Sequence, residues 1–380
     1  MSNTRKIRVF MIVYGETKYD GRVLRAAEAL SKQYDVILVG LGECALLPCA
    51  HIRYYSILIP NGSRWLRHMI FAIKVTLIAL RVKPDIVHSH DYFLAMHGWI
   101  IAKLTSAFSV YDAHEYLPGI IEKSRVRHSL FMFFEKSAIN HYNLIIATSN
   151  ERARAIKDYY GLRELPVVVS NISGAEEEVL DNSRDVSVNS YACQRIFQQN
   201  LPLVIYQGDM DVSSRCLDNL VQAFTNLKDK CHLIMAGDGP DLEFLKSLTN
   251  QLGLKDYIHF TGRISRAALT SVMHSASIGV VTYSNKEVNN ILCTPNKIHE
   301  YARAGLAVIA SNQPPLLNIL NTIPIGEIFN PDEPASIQQA LTKVLSTLDI
   351  YKLRIPSFLA HHDWKRDKQR LIDAYMKLVN

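Results

Sequence analysis

The 380-residue sequence predicts an α/β protein of two doubly wound domains, each a parallel sheet wrapped by helices. Three observations carry the prediction. Short apolar runs alternate with stretches of helical period in both halves of the chain. The alternation lapses over Asp181–Asn200, a polar stretch rich in asparagine and serine that reads as a linker, and resumes at Leu203. Polar clusters recur just beyond the apolar runs, at the carboxyl ends of the expected strands, where open parallel sheets hold ligands.

Length and composition agree with two globular domains: 380 residues exceed one typical domain, with 48% hydrophobic and 21% charged residues. The net charge of +6 suits anionic small molecules or an anionic membrane surface. No arginine-rich block or zinc spacing argues for nucleic acid, so no nucleic-acid partner is expected. The cysteines Cys44, Cys49, Cys193, Cys216, Cys231 and Cys293 form no C-x-x-C pair and read as reduced thiols of a cytoplasmic protein. The amino terminus runs straight into strand-like Ile7–Val13, so no signal peptide is expected. No apolar run reaches the roughly 18 residues needed to span a bilayer.

In order, Ile7–Val13 reads as a buried strand and Tyr14–Tyr19 as a polar loop containing Gly15. A helix follows from Asp20 to Gln33, then strands Val36–Val39 and Ile52–Ile59. This βαβ start lacks the G-x-G-x-x-G fingerprint of a dinucleotide-binding dehydrogenase. Arg64–Val82 is a long apolar helix interrupted by Arg67, Lys74 and Arg81. The next strand closes on His88-Ser89-His90-Asp91, and Phe108–Tyr111 runs into Asp112-Ala113-His114-Glu115. Leu144–Ala147 and Val167–Val169 complete the first half.

In the second half, Leu203–Tyr206, Leu233–Ala236, Ile258–Thr261 and Ile278–Thr282 read as strands. Helices are expected over Leu217–Leu227, Asp241–Leu252 and Ala267–Ser275, and Trp364–Leu378 closes the chain as a charged helix. Asp20 and Asp91 read equally as helix caps and as site residues. Trp65, Leu66, Met69, Ile70, Ile73 and Leu77, and Leu130, Phe131, Phe133 and Phe134 beside Arg125–His128, suit either sheet packing or a membrane surface.

The stretch Cys293–Gly305 concentrates chemistry. Thr294 is placed as N-cap, Pro295 as first helical residue and Gly305 as the stop, followed by the core strand Leu306–Ala310. A helix N-terminus and Lys297 in its first turn suit phosphate, and Glu300, three residues on, suits ribose hydroxyls. An ordinary capped helix with a surface Lys–Glu pair is the alternative.

Several motifs then fall in one order: Asp20-Gly21-Arg22-Val23, Asp112-Ala113-His114-Glu115, Tyr206-Gln207-Gly208, Arg215-Cys216-Leu217, Ala236-Gly237-Asp238-Gly239-Pro240, Phe260-Thr261-Gly262 and Pro295–Tyr301. In this the chain resembles glycosyltransferase family 4, retaining enzymes of GT-B fold, whose two Rossmann-like domains face a cleft. The resemblance implies an acceptor-binding domain over residues 1–185, joined by the helix 364–380, and a donor-binding domain over 200–362. It implies catalytic roles for His114, Arg215 and Lys297. Donor binding falls to Gly208, Gly239, Asn290, Thr294, Asn296, Lys297 and Glu300, and the acceptor side to Gly15, Asp20, His90 and Asp91. The implied reaction moves a sugar from a nucleoside diphosphate sugar to a saccharide or lipid-linked acceptor, in polysaccharide or glycolipid synthesis, with no cofactor and no metal. Peripheral contact with the inner membrane face is the matching expectation. Two departures stand out. Leu292 occupies the place, eight before Glu300, where the family commonly has a glutamate, with Glu287 nearby. Asp209 follows Gly208, where arginine is frequent. The alternatives are a non-catalytic sugar-nucleotide binding subunit and a nucleotide-sugar epimerase of the same fold.

Overall fold

The computed structural model describes residues 5–17, 20–42, 52–120, 124–172 and 201–380. The linker expected over Asp181–Asn200 lies outside them, as do Cys44, Cys49 and Cys193. The chain divides into two compact units, residues 1–171 with 364–380, and residues 172–363.

The first unit is a seven-stranded sheet of β1 (Arg8–Glu16), β2 (Asp35–Leu41), β3 (Ile52–Ile57), β4 (Ile86–His90), β5 (Phe108–Ala113), β6 (Leu144–Ala147) and β7 (Val167–Val168). The order is β3-β2-β1-β4-β5-β6-β7, and every pairing is parallel. Its helices are α1 (Gly21–Ser31), α2 (Arg64–Val82), α3 (Ala95–Thr105), α4 (Arg125–Ile139) and α5 (Asn150–Tyr160). Both faces are covered, so β1 is apolar at consecutive positions. Val9 and Met11 pack in the cluster of α1, while Phe10 and Ile12 meet Phe71 and Val75 of α2.

The second unit is a six-stranded parallel sheet of β8 (Leu203–Gln207), β9 (His232–Ala236), β10 (Ile258–Gly262), β11 (Ile278–Val281), β12 (Ala307–Ser311) and β13 (Gly326–Phe329), in the order β10-β9-β8-β11-β12-β13. Its helices are α6 (Val212–Arg215), α7 (Leu217–Ala223), α8 (Leu242–Gln251), α9 (Arg266–Ser275), α10 (Val288–Ile291), α11 (Lys297–Arg303), α12 (Pro314–Thr322), α13 (Pro334–Ser346) and α14 (Leu348–His361). The last helix, α15 (Trp364–Val379), belongs to the first unit and buries Leu371 and Tyr375 in the cluster of β1 and α1.

Each sheet reverses strand order once, at β1/β4 and at β8/β11. Such switch points open a crevice at the carboxyl ends of the strands. The residues expected to act lie at or beside these two points.

Two local expectations change. Gly15 lies inside β1, which continues to Glu16 because Glu16 still pairs with Leu41 after a shift in register. The segment after the first apolar run is therefore strand, not loop, up to that residue. Second, α11 begins at Lys297, two residues later than the Thr294 cap predicts. His299 N–H donates to Asn296 O rather than to the Pro295 carbonyl, so the ladder opens at Asn296. Of the two readings left open for residues 130–134, Phe131 takes the packing one, buried against Trp65, Tyr92 and Phe93. The expected stop does form. Gly305 has φ +78°, Gly305 N–H donates to Ala302 O and Leu306 N–H to Tyr301 O, a full Schellman motif.

Candidate active site

In the second unit, β8 ends at Gln207 and the chain turns through Gly208, whose φ is +141°. A Cβ there would lie 2.5 Å from Lys297 Nζ, so the ammonium sits directly against the glycine. Gly237, at the end of β9, packs its Cα on Gly208 O, and the segment through Gly239 lies against Met210 and Asp209. Backbone therefore lines this end of the sheet.

Two cations converge there. Lys297 Nζ lies 5.2 Å from the Tyr206 ring centroid and 5.5 Å from that of Tyr283, and Arg215 Cζ lies 4.2 Å from the Tyr283 ring. Burial, then the Arg215 charge, pulls Lys297 down from the usual 10.5 to about 8. Arg215 NH1 donates to Asn290 Oδ1 at 3.3 Å, while its Nε is buried without a partner. Asn290 in turn donates to Glu287 Oε2 and Ser214 O, so it braces the guanidinium. One turn beyond Lys297, Glu300 accepts a hydrogen bond from Gln207 Nε2 at 2.5 Å. The geometry is that of an anion cradle with a carboxylate behind it.

The structure thus brings Gly208, Arg215, Asn290, Lys297 and Glu300 together, with Gly239 on the adjoining turn. Thr294 lies in the irregular segment ahead of α11, and Asn296 sits at its cap position with Oδ1 buried and unpartnered. With only seven residues, α11 adds little dipole, and the positive charge is carried by the two side chains. Gln207, Tyr206 and Tyr283 are further members of the cluster that motif spacing does not assign a role. Gln207 and Tyr206 do lie in the quoted Tyr206-Gln207-Gly208 motif.

In the first unit, the ends of β4 and β5 carry a buried histidine–carboxylate cluster. Arg22 grips Asp112 with Nε at 3.0 Å and NH2 at 2.6 Å. Asp112 Oδ2 lies 3.4 Å from His90 Nδ1 and 3.6 Å from His114 Nε2, and those two nitrogens are 3.2 Å apart. Tyr375 Oη hydrogen-bonds His88 Nδ1 at 2.6 Å, and the His88 ring stacks on His90. Burial alone would raise Asp112, but Arg22 and His114 outweigh it and hold the carboxyl well below its usual value. Burial works against the charged form of His114 too, yet the adjacent Asp112 raises it overall. His90 and His88 are lowered by burial.

His88, His90 and Asp112 have the donor atoms of a metal site. Arg22, however, occupies both carboxylate oxygens and already supplies the positive charge, so these residues read as a hydrogen-bonded cluster. Asp20 caps α1 through Val23 N–H, and Asp91, with φ +66°, accepts from Tyr92 N–H. Both therefore act as caps whatever else they do. Gly15 has only Val13 Cγ2 near a would-be Cβ, at 3.9 Å, so packing does not require glycine there. Arg22 and Asp112 each lie in a quoted motif, but their pairing across 90 positions was not signalled in sequence.

Two units of parallel doubly wound topology, the second with an anion cradle at its switch point, define the GT-B class of α/β fold. The family model described as Glycosyltransferase Family 4 matches residues 22–172, and the one described as Glycosyl transferases group 1 matches residues 201–347. The chain belongs to glycosyltransferase family 4. It is 24% identical over 276 residues to the alpha-monoglucosyldiacylglycerol synthase of Streptococcus pneumoniae, which covers 67% of this chain but 58% of that protein. Similar solved structures include a glycosyltransferase from Rickettsia africae (TM-score 0.74, 16% identity, 99% of each chain). Anabaena Alr3699/HepE in complex with UDP matches with TM-score 0.75 and 15% identity over 98% of this chain and 100% of that one. WaaG, a glycosyltransferase involved in lipopolysaccharide biosynthesis, matches with TM-score 0.68 and 14% identity over 96% and 98%. At these identities the structural likeness establishes the fold.

Proposed function

We propose that this chain is a retaining glycosyltransferase that moves a sugar from a UDP-sugar to a lipid-linked or glycolipid acceptor. The carrying observation is the pair Lys297 and Arg215, converging on Tyr283 beside Gly208 with a carboxylate one turn deeper. In transfer, the sugar's anomeric bond breaks and negative charge grows on the leaving diphosphate. Lys297 and Arg215 would stabilise that charge from fixed positions, so this reading needs no metal. Asn290 would keep Arg215 aimed, and Glu300 would accept the ribose hydroxyls. The complex of a structural neighbour with UDP supports the choice of base.

The first unit would take the acceptor, with His114, held by Asp112, among the groups that meet it. The outer face of α2 supports an acceptor at a membrane. Phe71, Val75 and Ala79 bury one stripe of this helix, while Leu66, Met69, Ile73, Leu77 and Leu80 expose a second. Arg64, Lys74 and Arg81 flank the exposed stripe, and no carboxylate occurs between Leu58 and Pro84. Such a face suits the anionic surface of the cytoplasmic leaflet. No helix among the described residues is long and apolar enough to cross a membrane, so contact would be peripheral.

Leu292, in place of the family's glutamate, favours a second reading, a binding subunit without chemistry. Purified protein incubated with radiolabelled UDP-glucose or UDP-galactose and anionic vesicles carrying glycolipid separates the two. Lipid-extractable label is the expected result. UDP-sugar binding with neither transfer nor hydrolysis would establish the binding subunit instead, and no binding would refute both.

A further inference from the structure

The cluster contains one polar atom that the proposed chemistry leaves unused. Gln207, the last residue of β8, is 6% exposed. Its backbone N–H donates to Tyr301 Oη at 3.0 Å and its Nε2 to Glu300 Oε2. A carboxylate only accepts, so the amide must turn its nitrogen to Glu300 and its oxygen elsewhere. That oxygen, Oε1, is buried and has no partner. A buried amide oxygen without a donor is uncommon in folded proteins and calls for a ligand or water. The next residue, Gly208, has no side chain to supply a donor, and beyond it lies Lys297. Of the groups a nucleoside diphosphate brings to Glu300, the ribose hydroxyls are the donors.

We infer that Gln207 is a ribose-binding residue: its Oε1 accepts one hydroxyl while its Nε2 holds Glu300 to accept the other. The inference rests on the nucleotide-sugar reading above and adds to it a second recognition group. One planar amide thereby couples the two contacts, since a rotation that lost one would lose both. Phosphate recognition by Lys297 and Arg215 is independent of it.

Calorimetry with UDP, 2′-deoxy-UDP and 3′-deoxy-UDP tests this on wild type and Gln207→Met, which keeps length and loses hydrogen bonding. Thermal melting checks the fold of the variant. Wild type should lose about tenfold in affinity for each deoxy ligand. Gln207→Met should bind UDP about tenfold more weakly and lose nothing further with one of the two deoxy ligands. Gln207→Glu provides a second variant. It sets two carboxylates side by side, so its UDP affinity should recover, relative to wild type, as pH falls toward 5 and the pair shares a proton. The inference is overturned if Gln207→Met keeps the full penalty for both deoxy ligands, or binds UDP as wild type does. A wild type that binds all three ligands equally would overturn the ribose role of Glu300 itself. A wild type that binds none would overturn the nucleotide reading instead.

Discussion

Replacing Lys297 with methionine removes the ammonium while keeping most of the side-chain volume. In the ligand-free site, burial and Arg215 bring this lysine from 10.5 to about 8. That displacement costs the charged form about 3 kcal/mol, a cost that a bound diphosphate would offset. Losing the contact to a leaving group should remove about 2–4 kcal/mol of transition-state stabilisation, or roughly 100-fold in turnover. The pH dependence gives a second, independent readout. Below pH 8 the lysine is already charged and UDP affinity should be flat. Above it, binding must first restore the proton, so affinity should fall about tenfold per pH unit. The variant should bind weakly at every pH, without that slope. Turnover by radiolabel transfer and affinity by calorimetry between pH 7 and 9.5 measure both. A variant within about threefold of wild type, or a wild type with no slope above pH 8, would refute the placement of Lys297 at the phosphates.

Glu300→Gln should weaken uridine and UDP alike by about 1.5–3 kcal/mol, the range for a hydrogen bond to a charged group; a loss confined to the diphosphate would count against a ribose contact. Transfer should persist in enzyme dialysed against a strong chelator, and activity lost there and restored by a divalent ion would reveal a metal requirement. Asp112→Asn leaves Arg22 buried without its carboxylate and should cost about 3–5 kcal/mol in urea unfolding. Because Asp112 is held below its ordinary value, the stability it contributes should be present above pH 4 and lost as pH falls through the lower, folded value. Glu135 runs the other way. Burial, against the lowering effect of Tyr111 and Tyr160, raises it to about 7. The fold should therefore lose about 3 kcal/mol between pH 4.5 and 7, a slope that Glu135→Gln should flatten in thermal melts.

The strands were legible because a parallel sheet covered on both faces writes each strand as an unbroken apolar run, as in Val9–Ile12 and Val308–Ala310. The convergence of Lys297, Glu300 and Gly208 was legible through motif order. Helix starts were harder. Thr294-Pro295 has the composition of a cap, but which carbonyl receives the first N–H was decided by backbone geometry at Asn296. Contacts between distant residues were invisible. The bond of Gln207 to Glu300 spans 93 positions and that of Tyr375 to His88 spans 287, and neither pair stands out at its own place in the chain.

The last of these contacts bears on how the protein is made. The first unit is discontinuous, with its final helix encoded after the whole of residues 172–363. Tyr375 is fully buried there and supplies the only hydrogen bond found for His88 Nδ1 among the described residues. On a ribosome adding about 5–20 residues per second, the first unit must wait on the order of ten seconds or more for α15. Until then the cluster that Val9 and Met11 of β1 form with Leu30 of α1 lacks Leu371 and Tyr375. The second unit, contiguous in sequence, can close while the first is still waiting. A released chain ending at Asp363 should therefore yield a protease-resistant second half and a chaperone-bound first half.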